Sequence, residues 1–197
     1  MNEHLIKRIF KGYQQVDRLD TDPAESIPFC ISTSNTMALC QVWPISATQA
    51  MERNPKRLIQ GIHQSLAPNQ ALIEVDCGRT ASGKDFIYSI VKTLKEPHGV
   101  QYFVLMHYWE TPTSVLNFQG FFDEAGTTGM RDSMVFGLLG EKYSFEEREK
   151  MWWFDPYDEK FVHKTLMNQS EKAELDQFFP EHPLSIARDF IKRIVNE

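Results

Sequence analysis

Residues 71–124 read ALIEVDCGRTASGKDFIYSIVKTLKEPHGVQYFVLMHYWETPTSVLNFQGFFDE, and the reading of this stretch decides the fold. It contains four runs rich in Val, Ile, Phe and Tyr: Leu72–Cys77, Asp85–Leu94, Val100–Trp109 and Ser114–Phe122. Such residues suit a pleated, buried surface better than a helix. The breaks at Gly78–Gly83, Glu96–Gly99 and Glu110–Thr113 each carry the Gly or Pro that a chain reversal needs. Four strands joined by three reversals make an antiparallel meander. In the third run Val100, Tyr102, Val104, Met106 and Tyr108 share one face, and Phe103, Leu105 and Trp109 share the other. A strand apolar on both sides is expected to be covered on both sides. The fourth run alternates Asn117 and Gln119 against Leu116, Phe118 and Phe122, which predicts a position nearer a sheet edge.

Upstream, Leu5, Ile6, Ile9, Phe10, Tyr13 and Val16 form one apolar stripe, predicting a helix over 3–18. PFCISTSNTMALCQVWPI then predicts a hairpin turning at Ser34-Asn35, its second strand ended by Pro44. Asn54-Pro55 caps a helix that buries Leu58, Ile59, Ile62 and Leu66 and stops at Ala67-Pro68-Asn69. After Gly126-Thr-Thr-Gly129 a helix over Met130–Leu139 is expected to bury Met134, Val135 and Leu138. The order helix, hairpin, helix, meander, helix predicts an α+β fold: an α/β/α sandwich around a central antiparallel sheet.

Beyond Tyr143 the texture changes. Ser144-Phe-Glu-Glu147 is a capping box, Asn168-Gln-Ser-Glu171 caps a helix ending by Pro180, and His182-Pro183 opens a last helix. Its stripe is Leu184, Ala187, Phe190, Ile191 and Ile194. Residues 1–143 are read as the sandwich and 144–197 as a helical extension packed on it, together one structural unit.

The 197 residues are 42% hydrophobic and 24% charged, ordinary for a soluble globular chain. A formal net charge of −6, with Lys and Arg scattered, argues against nucleic acid as a partner. No window approaches the roughly 18 apolar residues of a membrane helix, and the N-terminus lacks the apolar core of a signal peptide, so no membrane association is expected. Cys30, Cys40 and Cys77 form no CxxC and read as reduced, buried thiols in a cytoplasmic protein, although Cys30 and Cys40 could face each other across the hairpin.

Few residues point to chemistry. Gly78–Lys84 has the G-x4-G-K skeleton of a phosphate loop, but Asp85 stands where a hydroxyl is needed and a strand follows instead of a helix, so a hairpin turn is preferred. Thr127, Thr128, Gly129 and Arg131 precede or open a helix and could hold a carboxylate or phosphate, while a plain N-cap explains the same letters. No His or Cys pair has metal-ligand spacing, and no Ser or Cys is singled out as a nucleophile; neither a catalytic set, a metal site nor a cofactor is expected. His63 reads as a packed histidine. The densest aromatic segment, Trp152, Trp153 and Tyr157 with Phe161 after it, either fastens the extension to the sheet or grips another protein.

The stretches PFCISTSNTMALCQVW, NPKRLIQGIHQSLAP, GVQYFVLMHYW within its meander, and MRDSMVFGLL resemble, in their order and texture, the Mog1/PsbP-like sandwich. The resemblance implies an antiparallel sheet with helices on both sides and, for most members, a non-catalytic role: one branch binds a small GTPase and another supports photosystem II. No functional residue carries over, and the tail after Tyr143 departs from the simplest members. The expectation is a protein-binding or adaptor module, with oligomeric state open. The alternative is an enzyme of a small molecule or phosphorylated metabolite, with its site near Gly126–Arg131.

Overall fold

A computed structural model describes residues 3–97 and 99–197. The meander forms as expected: β4 (Gln70–Arg79), β5 (Asp85–Leu94), β6 (Val100–Trp109) and β7 (Ser114–Glu124) pair in antiparallel succession. The expected turn at Glu96–Gly99 includes residue 98, outside the described residues; around it Lys95 N–H donates to Gly99 C=O at 3.1 Å. The hairpin strands β2 (Ile27–Ser32) and β3 (Thr36–Ser46) join through β3, which lies against β7 along its full length. With the short β1 (Gln14–Gln15), the order is β1-β2-β3-β7-β6-β5-β4. The fold is therefore α+β, on one antiparallel sheet.

This order places β7 at the centre of the sheet, not near an edge. Asn117 and Gln119 mark a face of the sheet rather than its border; Asn117 is buried, with its amide oxygen 2.8 Å from His107 Nε2. Pro44 does not end β3, which continues to Ser46 against β7. Ile27 opposite Val42 is the last pair with β2, so β3 is an edge at Pro44, where a missing donor is tolerated. Cys30 lies opposite Leu39 and Cys40 opposite Phe29, which puts the two thiols on opposite faces; all three cysteines are free.

The N-terminal helix is shorter than its stripe. α1 (Glu3–Ile9) buries Leu5, Ile6 and Ile9 and then stops. Gly12 adopts φ +87, a left-handed turn that swings Tyr13 out of helical register and leads into β1. In the C-terminal region α5 (Pro183–Val195) carries the expected stripe, but the segment capped by Asn168 forms two 3-10 turns, Gln169–Glu171 and Ala173–Phe178, in place of an α-helix.

One face of the sheet is closed by α5 and α1. Tyr102, Val104, Met106, Phe118 and Phe122 meet Leu184, Ala187, Phe190, Ile191 and Ile194 there. α5 thus supplies most of one side of the main core, with α1 beside it. The opposite face is closed in part: residues 47–51 and Leu58 of α2 (Pro55–Ser65) pack over Ile87, Trp109 and Val115, α2 also lies along β4, and Leu72, opposite Val91, is buried. Farther along, Phe103 and Leu105 are only part-buried. Two-sided cover therefore holds for the Trp109 end of β6 and fails for its other half.

α3 (Met130–Leu139) is rotated from expectation. Arg131 and Val135 are buried, whereas Met130, Met134 and Leu138 are exposed. The cause is Arg131, all five of whose N–H donors find acceptors. Nε donates to Ser170 C=O at 2.7 Å, Nη1 to Ser185 Oγ and His182 Nδ1, and Nη2 to Lys172 C=O and Asp176 Oδ1. Turning that side chain inward carries position 135 with it and sends 130, 134 and 138 outward.

Charge also crosses the core at β5. Lys92, 1% exposed, donates from Nζ to Glu171 Oε2 at 2.8 Å, and Tyr102 OH donates to the other oxygen at 2.8 Å. Arg188 of α5 donates to Glu74, Asp176 and the Glu171 carbonyl. Removing one member of a buried pair strands its partner and costs about 3–5 kcal/mol. Lys92→Ala is expected to lower unfolding free energy by about that much in urea titration, and the double change Lys92→Met/Glu171→Leu to lose distinctly less. A loss below about 1 kcal/mol for the single change would contradict the charge pair's structural role.

Candidate functional site

The aromatic segment acts mainly as a fastener. α4 (Phe145–Trp152) opens with the expected capping box, Ser144 Oγ accepting from Glu147 N–H. It ends on Trp152, which is buried edge-on against Phe136 at 5.1 Å between rings. Trp153 opens β8 (Trp153–Phe154), which pairs with β9 (Met167–Asn168); its ring is 47% exposed, with Lys92 Nζ 5.4 Å from the ring centre. Tyr157 OH sits on the free edge of β4, 2.5 Å from Val75 N and 3.1 Å from Val75 O. It therefore satisfies a donor and an acceptor that the edge strand would otherwise present to another chain. Phe161 stacks on His63 at 4.0 Å, and His63 Nε2 lies 3.0 Å from Asp155 Oδ2. Asp155 also accepts the N–H groups of Tyr157 and Asp158. His63 is thus a packed histidine joining α2 to the C-terminal loop.

The Gly126–Arg131 segment is engaged from within. The N–H of Gly129 donates to Glu124 Oε1 at 2.8 Å, so an internal carboxylate already stands at the start of α3. Arg131 points the other way, into the network described above. Thr127 and Arg131 border one groove and Thr128 and Gly129 another, and the Arg131 donors are all taken by internal partners. The Gly78–Lys84 loop is a hairpin turn, as expected, with Gly83 at φ +80. Its free N–H groups are occupied too: Ala81 donates to Val195 C=O and Ser82 to Glu197 C=O.

Two histidines sit deep in polar settings. His107 Nδ1 accepts from Met51 N–H at 2.7 Å, which leaves the proton on Nε2, directed at Asn117. Burial pushes its pKa down, and the ring stays neutral while pinning residues 47–51 to the sheet. His182 caps α5, its Nδ1 accepting from Leu184 N–H. Burial, then the charges of Arg131 and Arg188, lower its pKa to about 3. Among the described residues no group of three His, Cys, Asp or Glu could hold a metal ion, and no helix is long and apolar enough to cross a membrane.

What the sequence did not point to is a surface. On the open face, Cys30, Leu39, Phe121, Phe103 and Val91 stand side by side across β2, β3, β7, β6 and β5. At strand spacing that row is about 19 Å long. Leu39 is 39% exposed, Phe121 40% and the adjacent Met37 60%. Phe103 and Phe121 touch with ring centres 4.9 Å apart. The rows beside it carry Asp123, Gln101 and Thr93 on one side and Gln41 and Gln119 on the other. Alternation gives β6 two apolar faces, for which cover on both sides is expected; pairing order is what reveals which rows lie beyond the reach of α2.

No protein-family model matches the chain, and none of the curated proteins matches it.

Two outcomes test this geometry. His182 takes a proton in the unfolded chain near pH 6.5 but in the folded protein only near 3. Its contribution to stability is complete above about 6.5 and falls with pH below it, by up to about 1.4 kcal/mol per unit. His182→Asn, which keeps an acceptor for the cap, is expected to flatten the decline between pH 6 and 4.5 in urea titrations; parallel slopes would count against a buried neutral ring. Tyr157→Phe is expected to cost about 0.5–1.5 kcal/mol and to speed proteolysis within 153–165, read by mass spectrometry, and unchanged cleavage would contradict the fastening.

Proposed function

We propose that this protein is a non-enzymatic protein-binding module, and that its contact surface is the open sheet face. The single observation that carries the reading is the exposed apolar row through Leu39, Phe121 and Phe103, bordered by polar rows. Apolar patches of this kind on a folded chain mark docking surfaces, because water is released when a partner covers them. Flat aromatic contacts flanked by amides and a carboxylate match the anatomy of a protein interface, apolar at the centre and polar at its rim. The order hairpin, helix, meander, helix is what the proposed likeness to the Mog1/PsbP-like sandwich rests on, and members of that family are mostly non-catalytic. The aromatic segment contributes at most through Trp153, since Trp152 is buried and Tyr157 and Phe161 are engaged internally. The metabolite-enzyme reading lacks a comparable support: Arg131 and the Gly129 N–H are already committed to internal partners. A cytoplasmic setting is part of the same proposal, in keeping with three free thiols.

Affinity capture from lysate with wild type and the Leu39→Glu/Phe121→Glu double variant tests the reading. Both side chains are exposed, so the urea midpoint should hold while co-purifying proteins are lost. Identical captured sets, or none with wild type, would overturn it.

A further inference from the structure

A second apolar surface lies away from the sheet face, and it combines an exposed helical stripe with a groove bearing carboxylates. α3 buries an arginine and presents Met130, Met134 and Leu138 to solvent at one-turn spacing. Between this stripe and residues 178–182 runs a groove of about 370 Å³, walled by Met130, Met134, Phe178 and Phe179. Glu124 and Glu181 also line it, as does Arg131, whose donors are all bonded internally. Each of these carboxylates is held by a neutral donor: Gly129 N–H bonds Glu124, and the Ser34 hydroxyl bonds Glu181 at 2.5 Å. Neither forms an ion pair among the described residues.

We propose that this groove takes a basic amphipathic helix of a partner protein, its apolar side chains lying along Met130, Met134 and Leu138 and a Lys or Arg reaching Glu124 and Glu181. Three observations select this occupant. Among the described residues neither carboxylate is in an ion pair, and an apolar wall beside them strengthens the attraction for a cation that arrives. The stripe extends past the groove over two helical turns, about 12 Å, more than a small amine would cover. Its one-turn period is the ridge spacing that packs against another helix. Thioether side chains adapt to apolar partners without a preset shape. The two carboxylates also repel an anionic lipid surface, which would otherwise compete for exposed Met and Leu. Burial already raises the pKa of Glu124, and a cation beside it would bring it back down.

The inference rests on the protein-binding reading but uses a separate surface, and methionine methyl signals keep the two apart. Met130 and Met134 report on the groove, Met37 on the open sheet face, and Met106, fully buried, on the fold. The protein labelled with 13C-methyl methionine is titrated with a synthetic helical peptide of about 18 residues, Leu on one face and Lys on its flanks. A control peptide carries Glu in place of Lys. The expected result is saturable shifts at Met130 and Met134, with Met106 and Met37 still. The Glu peptide, and the Lys peptide on Glu124→Gln/Glu181→Gln protein, should each bind at least about tenfold more weakly. Three results would overturn the proposal: no shift at Met130 and Met134, equal binding of both peptides, or Met130 and Met134 signals that move on dilution without peptide, which would mean a second copy fills the groove. Movement confined to Met37 would also overturn it while leaving the sheet-face reading intact.

Discussion

The ion pair between Lys92 and Glu171 is the contact on which the rest of the arrangement depends. A lysine buried near the end of β5, on the face that carries the main core, is costly without a partner for its charge. Glu171 supplies one from the C-terminal region, and Tyr102 and the N–H of Asn168 occupy its remaining acceptor sites. Arg188 and Arg131 extend the same layer through Asp176 and Glu74. Charges of both signs are thus shared between sheet, α3 and the 3-10 turns, and each acts as a register pin for the others. Hydrophobic burial supplies the driving force, through Phe190, Ile191 and Ile194 against the sheet. The charged layer fixes which position those residues take.

That layer also accounts for what is left uncovered. Because α5 and α1 are committed to one face, α2 and the residues before it cover the other in part, over its Trp109 end and along β4. The apolar row from Cys30 to Val91 stays open for the same reason. α3 shows the principle on a smaller scale. Satisfying the five donors of Arg131 costs the helix its most apolar stripe, which turns outward. The outward stripe of α3 is thus a consequence of polar satisfaction within the fold.

Much of the architecture was legible in the sequence. The meander strands, the Asn54 and Ser144 caps and the stripe of α5 all follow from period and capping chemistry, since these are local. The failures arise where long-range pairing decides. Nothing local to Ser114–Phe122 tells that β3 will close against it and make it central. Residues 10–16 continue a helical apolar period, yet Gly12 in a left-handed turn breaks it. On α3, Val135 and the Met130–Met134–Leu138 stripe are both apolar, and the choice between them lies with partners 39 to 54 residues away. The candidate sites divide the same way. The aromatic segment was recognisable by composition, with fastening among its stated roles, whereas Glu124 at the start of α3 and the exposed row on the sheet had no motif to announce them.

Native-state hydrogen exchange tests the central claim, that the charged layer makes the C-terminal region an integral part of the sheet core. Amides of α5 and of β6 should open with the same free energy, that of global unfolding, and Lys92→Ala should lower both together. α5 exchanging through a separate opening several kcal/mol below that of β6 would show an appendage laid on a finished sandwich, and would contradict this account.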